Sequence, residues 1–209
     1  MDADAIEIRV LGCLIEKQRT TPEVYPLSLN ALRLACNQST NREPVVDYDE
    51  PTIRSALDRL SRRGWVRLAS GPGSRAVKFR HLLDEALDLS DAEISLLCVL
   101  MLRGAQTPGE LKQRTPRLHA FAGLDELEGV LTALIERELV ARLSRRPGQK
   151  EQRYGQLLSG EGEEAETPTT RVDETDRLGE IERELQALRD EVAELRAQLA
   201  SHRGPPDQE

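Results

Sequence analysis

Aromatic residues make up only 3% of the 209-residue chain: one tryptophan, two phenylalanines and three tyrosines. Gripping single-stranded nucleic acid by base stacking needs a platform of such rings, so that mode is excluded. Cysteine is scarce too. Cys13, Cys36 and Cys98 are odd in number, widely spaced and without a CxxC pair, which argues against both a disulfide framework and a zinc site. His81, His119 and His202 stand singly, with no HxxxH pair, so histidine points to no metal centre. Neither a glycine-rich phosphate loop nor a GxSxG elbow is present. The chain is therefore expected to be non-enzymatic, with no cofactor and no metal. The opening Met1-Asp2-Ala3-Asp4 is acidic where a secretory signal is basic, and the longest apolar run, residues 94–102, is far too short for a bilayer. A cytoplasmic protein without a membrane partner is expected.

The charge is unevenly placed. Residues 1–83 hold 13 Lys/Arg against 10 Asp/Glu, a net +3; residues 84–159 hold 10 against 12, a net −2. Residues 160–209 hold 6 against 15, a net −9, so the overall −8 belongs to the tail. The mildly basic first part is compatible with contact to nucleic acid. A hydrophobic fraction of 38% is low for one compact fold and suits two helical modules with a polar tail.

An internal repeat sets the architecture. Ile53, Leu57, Leu60, Arg63 and Val66 match Leu127, Leu131, Leu134, Arg137 and Val140 at an offset of 74, and spacings of 4 and 3 put the aliphatic residues on one helix face. Upstream, Glu7-Ile8-Arg9-Val10-Leu11-Gly12 matches Glu93-Ile94-Ser95-Leu96-Leu97-Cys98 at an offset of 86. The first repeat thus carries about 12 extra residues before its third helix. Each repeat reads as an apolar helix, a short helix (residues 28–36 and 108–114) and a longer amphipathic helix. A two-stranded ribbon follows, residues 65–70 with 75–80 and residues 140–145 with 152–156, turning at Gly71-Pro72-Gly73 and at Pro147-Gly148. Ser90 with Glu93 has capping-box spacing, and Asp49-Glu50-Pro51 opens the third helix. The expected fold is mainly α with small β-wings: two tandem winged helix-turn-helix domains, residues 1–83 and 84–159, ahead of a coiled-coil helix.

The insertion in the first repeat, residues 20–48, is the most distinctive stretch. Its Tyr25-Pro26-Leu27-Ser28-Leu29-Asn30-Ala31-Leu32 and Ala35-Cys36-Asn37-Gln38-Ser39-Thr40-Asn41-Arg42-Glu43-Pro44 resemble the signature of the YceH-like family of uncharacterised bacterial proteins. The resemblance covers residues 4–160 and the heptad tail. It implies tandem winged helices and assigns no activity.

Residues 160–176 read as an acidic flexible linker. Over residues 177–201, Leu178, Ile181, Leu185, Leu188, Val192, Leu195 and Leu199 recur at alternating spacings of 3 and 4, an unbroken a/d seam. Arg177 with Glu182, Glu184 with Arg189 and Glu191 with Arg196 are opposite in charge at g and e, as a parallel two-stranded coil requires. Self-association is favoured over a lone helix docking on its own domain. Residues 202–209 are expected to be disordered.

In a winged helix on DNA the third helix enters the major groove and the wing approaches phosphates. Removing the core face of the first repeat's third helix leaves Thr52, Arg54, Ser55, Asp58, Arg59 and Arg62, with Arg67, Arg75 and Lys78 on the wing. Arginine is the commonest reader of guanine. The equivalent helix of the second repeat exposes Glu126, Glu128, Thr132, Glu136 and Glu138, which repel phosphates. The polar cluster Asn30, Asn37, Gln38, Ser39, Asn41 and Arg42 reads better as loop-holding hydrogen bonds than as a ligand site, and Cys36 better as a buried thiol than a redox-active one. The expectation is a dimeric DNA-binding regulator with duplex DNA as partner. The alternative is a protein–protein adaptor built on the same modules.

Overall fold

Asp4 and Glu7 open the first helix of the computed structural model. Asp4 accepts from the Glu7 backbone N–H at 2.8 Å and Glu7 accepts from Asp4 N–H at 2.9 Å, satisfying two donors that a helix start leaves unpaired. The structure describes residues 3–69, 77–143 and 151–159. Arg75 and the whole 160–209 segment, with its seven heptad residues, lie outside the described residues.

The element order is α1 (Ala5–Thr20), a 3₁₀ turn (Pro22–Val24), β1 (Leu27–Ser28), α2 (Leu29–Cys36), α3 (Glu50–Arg62), β2 (Val66–Leu68), β3 (Lys78–His81) and α4 (Leu83–Leu87). It continues with α5 (Asp91–Arg103), α6 (Pro108–Arg114), α7 (Leu124–Glu136), β4 (Val140–Leu143) and β5 (Arg153–Gln156). The chain is mainly helical with small antiparallel sheets. β3 lies between β1 and β2, with Leu27 opposite Phe79 and Val66 opposite His81; β4 pairs with β5, Val140 opposite Gln156.

The internal repeat is visible element by element. Equivalent helices start 86 residues apart for α1 and α5, 79 for α2 and α6, and 74 for α3 and α7. The extra residues of the first repeat are therefore divided between both sides of α2. Even β1 has a counterpart: Leu27 pairs with Phe79 in the first repeat, and Gln106 bridges Tyr154 in the second. Capping recurs as well. Ser90 and Glu93 form a capping box on α5 and Asp49 caps α3, both at the predicted places. Glu7, the third residue of α1, meets Arg63 at 3.5 Å, and Glu93, the third residue of α5, meets Arg137 at 2.9 Å. Each pair ties the start of a first helix to the end of a third.

The described residues belong to one compact unit, Met1–Glu164. Its apolar core runs through both repeats and centres on α1 against α5. The crossing occurs at equivalent positions: Cys98 Sγ donates to Gly12 O at 3.4 Å, the two residues being 86 apart. Contact between a residue and its own counterpart is what a two-fold relation between repeats produces. Gly12 permits the approach, since a Cβ there would sit 2.9 Å from Leu102 Cδ2 and 3.1 Å from Met101 Cβ. Gly12→Leu is expected to lose about 1–3 kcal/mol by overpacking. In Gly12→Ala the helix propensity gained offsets most of that strain. Denaturant midpoints of the two variants against wild type check this, and an unchanged midpoint in Gly12→Leu would remove the close crossing.

Candidate nucleic-acid interface

Helix α3 buries Ile53, Ala56, Leu57 and Leu60, the aliphatic face predicted from spacing with Ala56 added. Opposite lie Arg54, Ser55, Asp58 and Arg62, all exposed, with Thr52 half-buried in the first turn. Thr52 N–H donates to Asp49 Oδ1 at 2.9 Å, which fixes the start of the helix. Among the described residues, Arg54 and Arg62 have no hydrogen-bond or ion-pair partner. They stand eight residues apart on one helix, about 12 Å along its axis. Asp58 lies between them in sequence and pairs with neither.

Arg59 behaves differently. Its Nη2 reaches Asp4 Oδ2 at 2.6 Å, its Nε lies 3.6 Å from Glu7 Oε2, and its Nη1 donates to Ser55 Oγ at 2.8 Å. The start of α1 therefore claims Arg59 and draws in the Ser55 hydroxyl, leaving Arg54 and Arg62 as the uncommitted guanidinium groups of the helix. A signal for this capture lay in the sequence. Asp4 and Glu7 have the same capping spacing as Ser90 and Glu93, which aims two carboxylates at one helix start.

On the ribbon Arg67 is exposed, whereas Lys78 is half-buried and engaged. Arg80 pairs with Glu85. Leu68 and Val77, 62% and 55% exposed, make the flank of the ribbon partly apolar. On α7 the exposed residues include Glu126, Glu128, Thr132 and Glu136, with Glu138 just beyond. Arg137 turns back to Glu93 and to the carbonyls of Leu87 and Asp88, so the outer face of α7 is acidic.

The polar cluster of the insertion holds its loop. Asn37 Nδ2 donates to Tyr48 O at 2.8 Å and Asn37 Oδ1 accepts from Tyr48 N–H at 2.9 Å, closing the segment between α2 and α3. Arg42, only 5% exposed, donates to Ala35 O, Asn41 O and Gln38 Oε1 and holds Glu16 through both carboxylate oxygens, at 3.0 and 2.6 Å. Burial would push the Glu16 carboxyl up, and the Arg42 pairing overrides it, holding Glu16 below the usual carboxylate range. Arg9, also buried, donates to Cys36 O at 3.2 Å and Pro44 O at 2.6 Å. All three thiols are buried and free. The neighbouring Cys13 thiol and burial raise the Cys36 pKa, and burial raises that of Cys98, so these two remain protonated and unreactive.

Comparison with known proteins assigns the chain. Residues 3–149 match the family described as "Protein of unknown function, DUF480". The chain belongs to this family. A family relative, the "UPF0502 protein" of Serratia proteamaculans (strain 568), is 45% identical over 205 residues, spanning 95% of this chain and 94% of the relative. Another "UPF0502 protein", from Pelobacter propionicus (strain DSM 2379 / NBRC 103807 / OttBd1), is 47% identical over 209 residues and covers 95% of each. This agrees with the uncharacterised bacterial family that the insertion motif resembles. Among the described residues no helix is long and apolar enough to cross a membrane, and no three His, Cys, Asp or Glu residues are grouped to hold a metal ion.

Proposed function

We propose that this family member is a non-enzymatic, cytoplasmic DNA-binding regulator that reads duplex DNA with α3 of its first repeat. On this reading the two repeats are tandem winged helices, supported by the order helix, strand, helix, helix, strand, strand in the first and its counterpart in the second. The observation that carries the reading is the pair of exposed, uncommitted arginines Arg54 and Arg62 on a helix anchored by its opposite face. A guanidinium free of internal partners presents a bidentate fork to guanine in the major groove. Their separation of about 12 Å spans roughly three to four base-pair steps. The acidic outer face of α7 makes the second repeat a poor reader. The heptad seam from Leu178 to Leu199 brings two such readers to one duplex as a homodimer. Arg67 and Arg75 supply the phosphate contacts of the wing; Lys78, half-buried and already engaged, is not counted among them.

Mobility shift on random duplex DNA at two salt concentrations tests the proposal. Arg54→Ala and Arg62→Ala each weaken binding by about 1–3 kcal/mol, mainly on a preferred sequence. Arg67→Ala weakens all sequences alike and lowers the salt slope by roughly one unit. The exposed Leu68 and Val77 favour a second reading, a protein-contact adaptor. Wild type that ignores duplex DNA at low salt leaves that reading in place of the first.

A further inference from the structure

A cleft of about 270 Å³ opens alongside the C-terminal half of α5. The end of α1 and the loop at Asn41 wall it from the first repeat, and the turn after α6 walls it from the second. Its lining includes the apolar Val99, Leu102 and Leu118, together with three guanidinium groups, Arg103, Arg114 and Arg117.

Negative charge does not balance these cations. Glu16 lines the cleft but is already held by Arg42 through both oxygens. Glu110 Oε1 lies 3.5 Å from Arg114, and its Oε2 is taken up in capping α6, accepting from Thr107 N–H at 2.9 Å. The carboxamide of Asn41 is the side-chain partner of Arg103, and it is neutral. Arg117 is exposed and has no hydrogen-bond or ion-pair partner among the described residues. Burial lowers the Arg103 pKa, the nearby Arg114 and Arg42 push it the same way, and Glu16 and Glu110 oppose them without prevailing; among the described residues no carboxylate forms an ion pair with Arg103. Two uncompensated guanidinium groups at the edge of an apolar surface favour a partner carrying two negative charges and a little carbon.

We propose that this cleft binds a small organic dianion, a phosphate monoester or dicarboxylate with a short carbon body. The charged end is held by Arg103 and Arg117, and the body lies on Val99, Leu102 and Leu118. A volume of this size is at the small end of ligand sites, which suits a metabolite of a few carbons. Because the walls come from both repeats, the occupied site fastens one to the other. The proposal is independent of DNA reading, since its residues lie outside α3 and its ribbon.

Isothermal titration of the full chain at constant ionic strength tests it, with glycerol 3-phosphate, succinate, inorganic phosphate and uncharged glycerol as probes. One organic dianion is expected to bind saturably, one per chain, with glycerol silent, and the phosphate and succinate arms distinguish the two chemistries. Arg103→Gln and Arg117→Gln should each weaken that binding by about tenfold or more, while Arg142→Gln, outside the cleft lining, leaves it unchanged. The melting temperature should rise with the bound ligand and lose that rise in both cleft variants. No saturable binding by either organic dianion overturns the proposal, and so does wild-type affinity in Arg103→Gln and Arg117→Gln. Inorganic phosphate binding as tightly as the organic probes removes the carbon-reading half of it.

Discussion

Arg42→Met is expected to lose about 3 kcal/mol of folding stability, because it strips the buried Glu16 carboxylate of its bidentate partner and leaves only Lys17, 3.5 Å from Oε2. The side chain of Arg42 is fully shielded and that of Glu16 is only 16% exposed. Methionine roughly fills the same space, so the loss reflects charge and hydrogen bonding more than a cavity. Ala35 O, Asn41 O and Gln38 Oε1 also lose a donor, which adds to the cost. Removing both charges in Glu16→Leu/Arg42→Met should recover much of it, since an apolar pair avoids the desolvation penalty. The single variant carries a second signature. Without Arg42, burial pushes the Glu16 pKa up from its wild-type position, opposed by Lys17. Protonating Glu16 then costs the variant less than it costs wild type, so the deficit relative to wild type shrinks as pH falls through the carboxylate range. Urea unfolding of the three proteins at two pH values decides it. A single variant within 1 kcal/mol or so of wild type would show that the pair carries little net energy.

The parts of this fold legible in the sequence were those set by local pattern. The 86- and 74-residue offsets between repeats, the aliphatic face of α3, the Ser90 and Asp49 caps and the ribbons all rest on residues a few positions apart. Two short elements escaped because their signals are weak. β1 has two residues and exists through its pairing with β3. α4 has five and no side-chain cap. Composition also misleads wherever a charge is buried. Arg9 lies in an apolar run and Arg42 in a polar loop, and arginine is normally exposed. Both are inside, because the insertion needs internal donors for Cys36 O, Pro44 O and Ala35 O.

The candidate interface was legible to the same depth. Spacing separated the buried from the exposed side of α3 correctly, yet it ranked Arg54, Arg59 and Arg62 alike. Only the three-dimensional approach of Asp4 and Glu7 distinguishes Arg59 from the other two. The arginine cleft left no mark in the sequence, because Arg103, Arg114 and Arg117 come to line one cleft with Asn41 only after α5 has packed on α1.

His81 should make the folded state acid-sensitive well before the carboxylates titrate. The ring lies fully buried at the end of β3. Its backbone N–H donates to Tyr25 Oη at 2.8 Å, its Nε2 meets Gln18 Oε1, and its Nδ1 stands 3.4 Å from Asp84 Oδ1. Burial lowers its pKa to about 4; Asp84 and Glu85 oppose the shift, while Arg80 and Arg19 add to it. The folded value thus lies below the unfolded value of about 6.5. Between those limits the unfolded chain takes up a proton that the folded ring refuses. The contribution is therefore complete above pH of about 6.5 and declines as pH falls, levelling near the folded pKa. At about 1.4 kcal/mol per pH unit, the loss approaches 3 kcal/mol across the window and is about 2 kcal/mol by pH of about 5. Glu16, Asp91 and Glu93 are held below their ordinary range, so their own losses come at lower pH. Denaturant unfolding of wild type and His81→Gln over pH of about 5 to 7 isolates the ring, since His119 and His202 are common to both. The variant should be less stable at neutral pH but flatter across this interval, and equal slopes would mean that His81 takes up its proton as readily folded as unfolded.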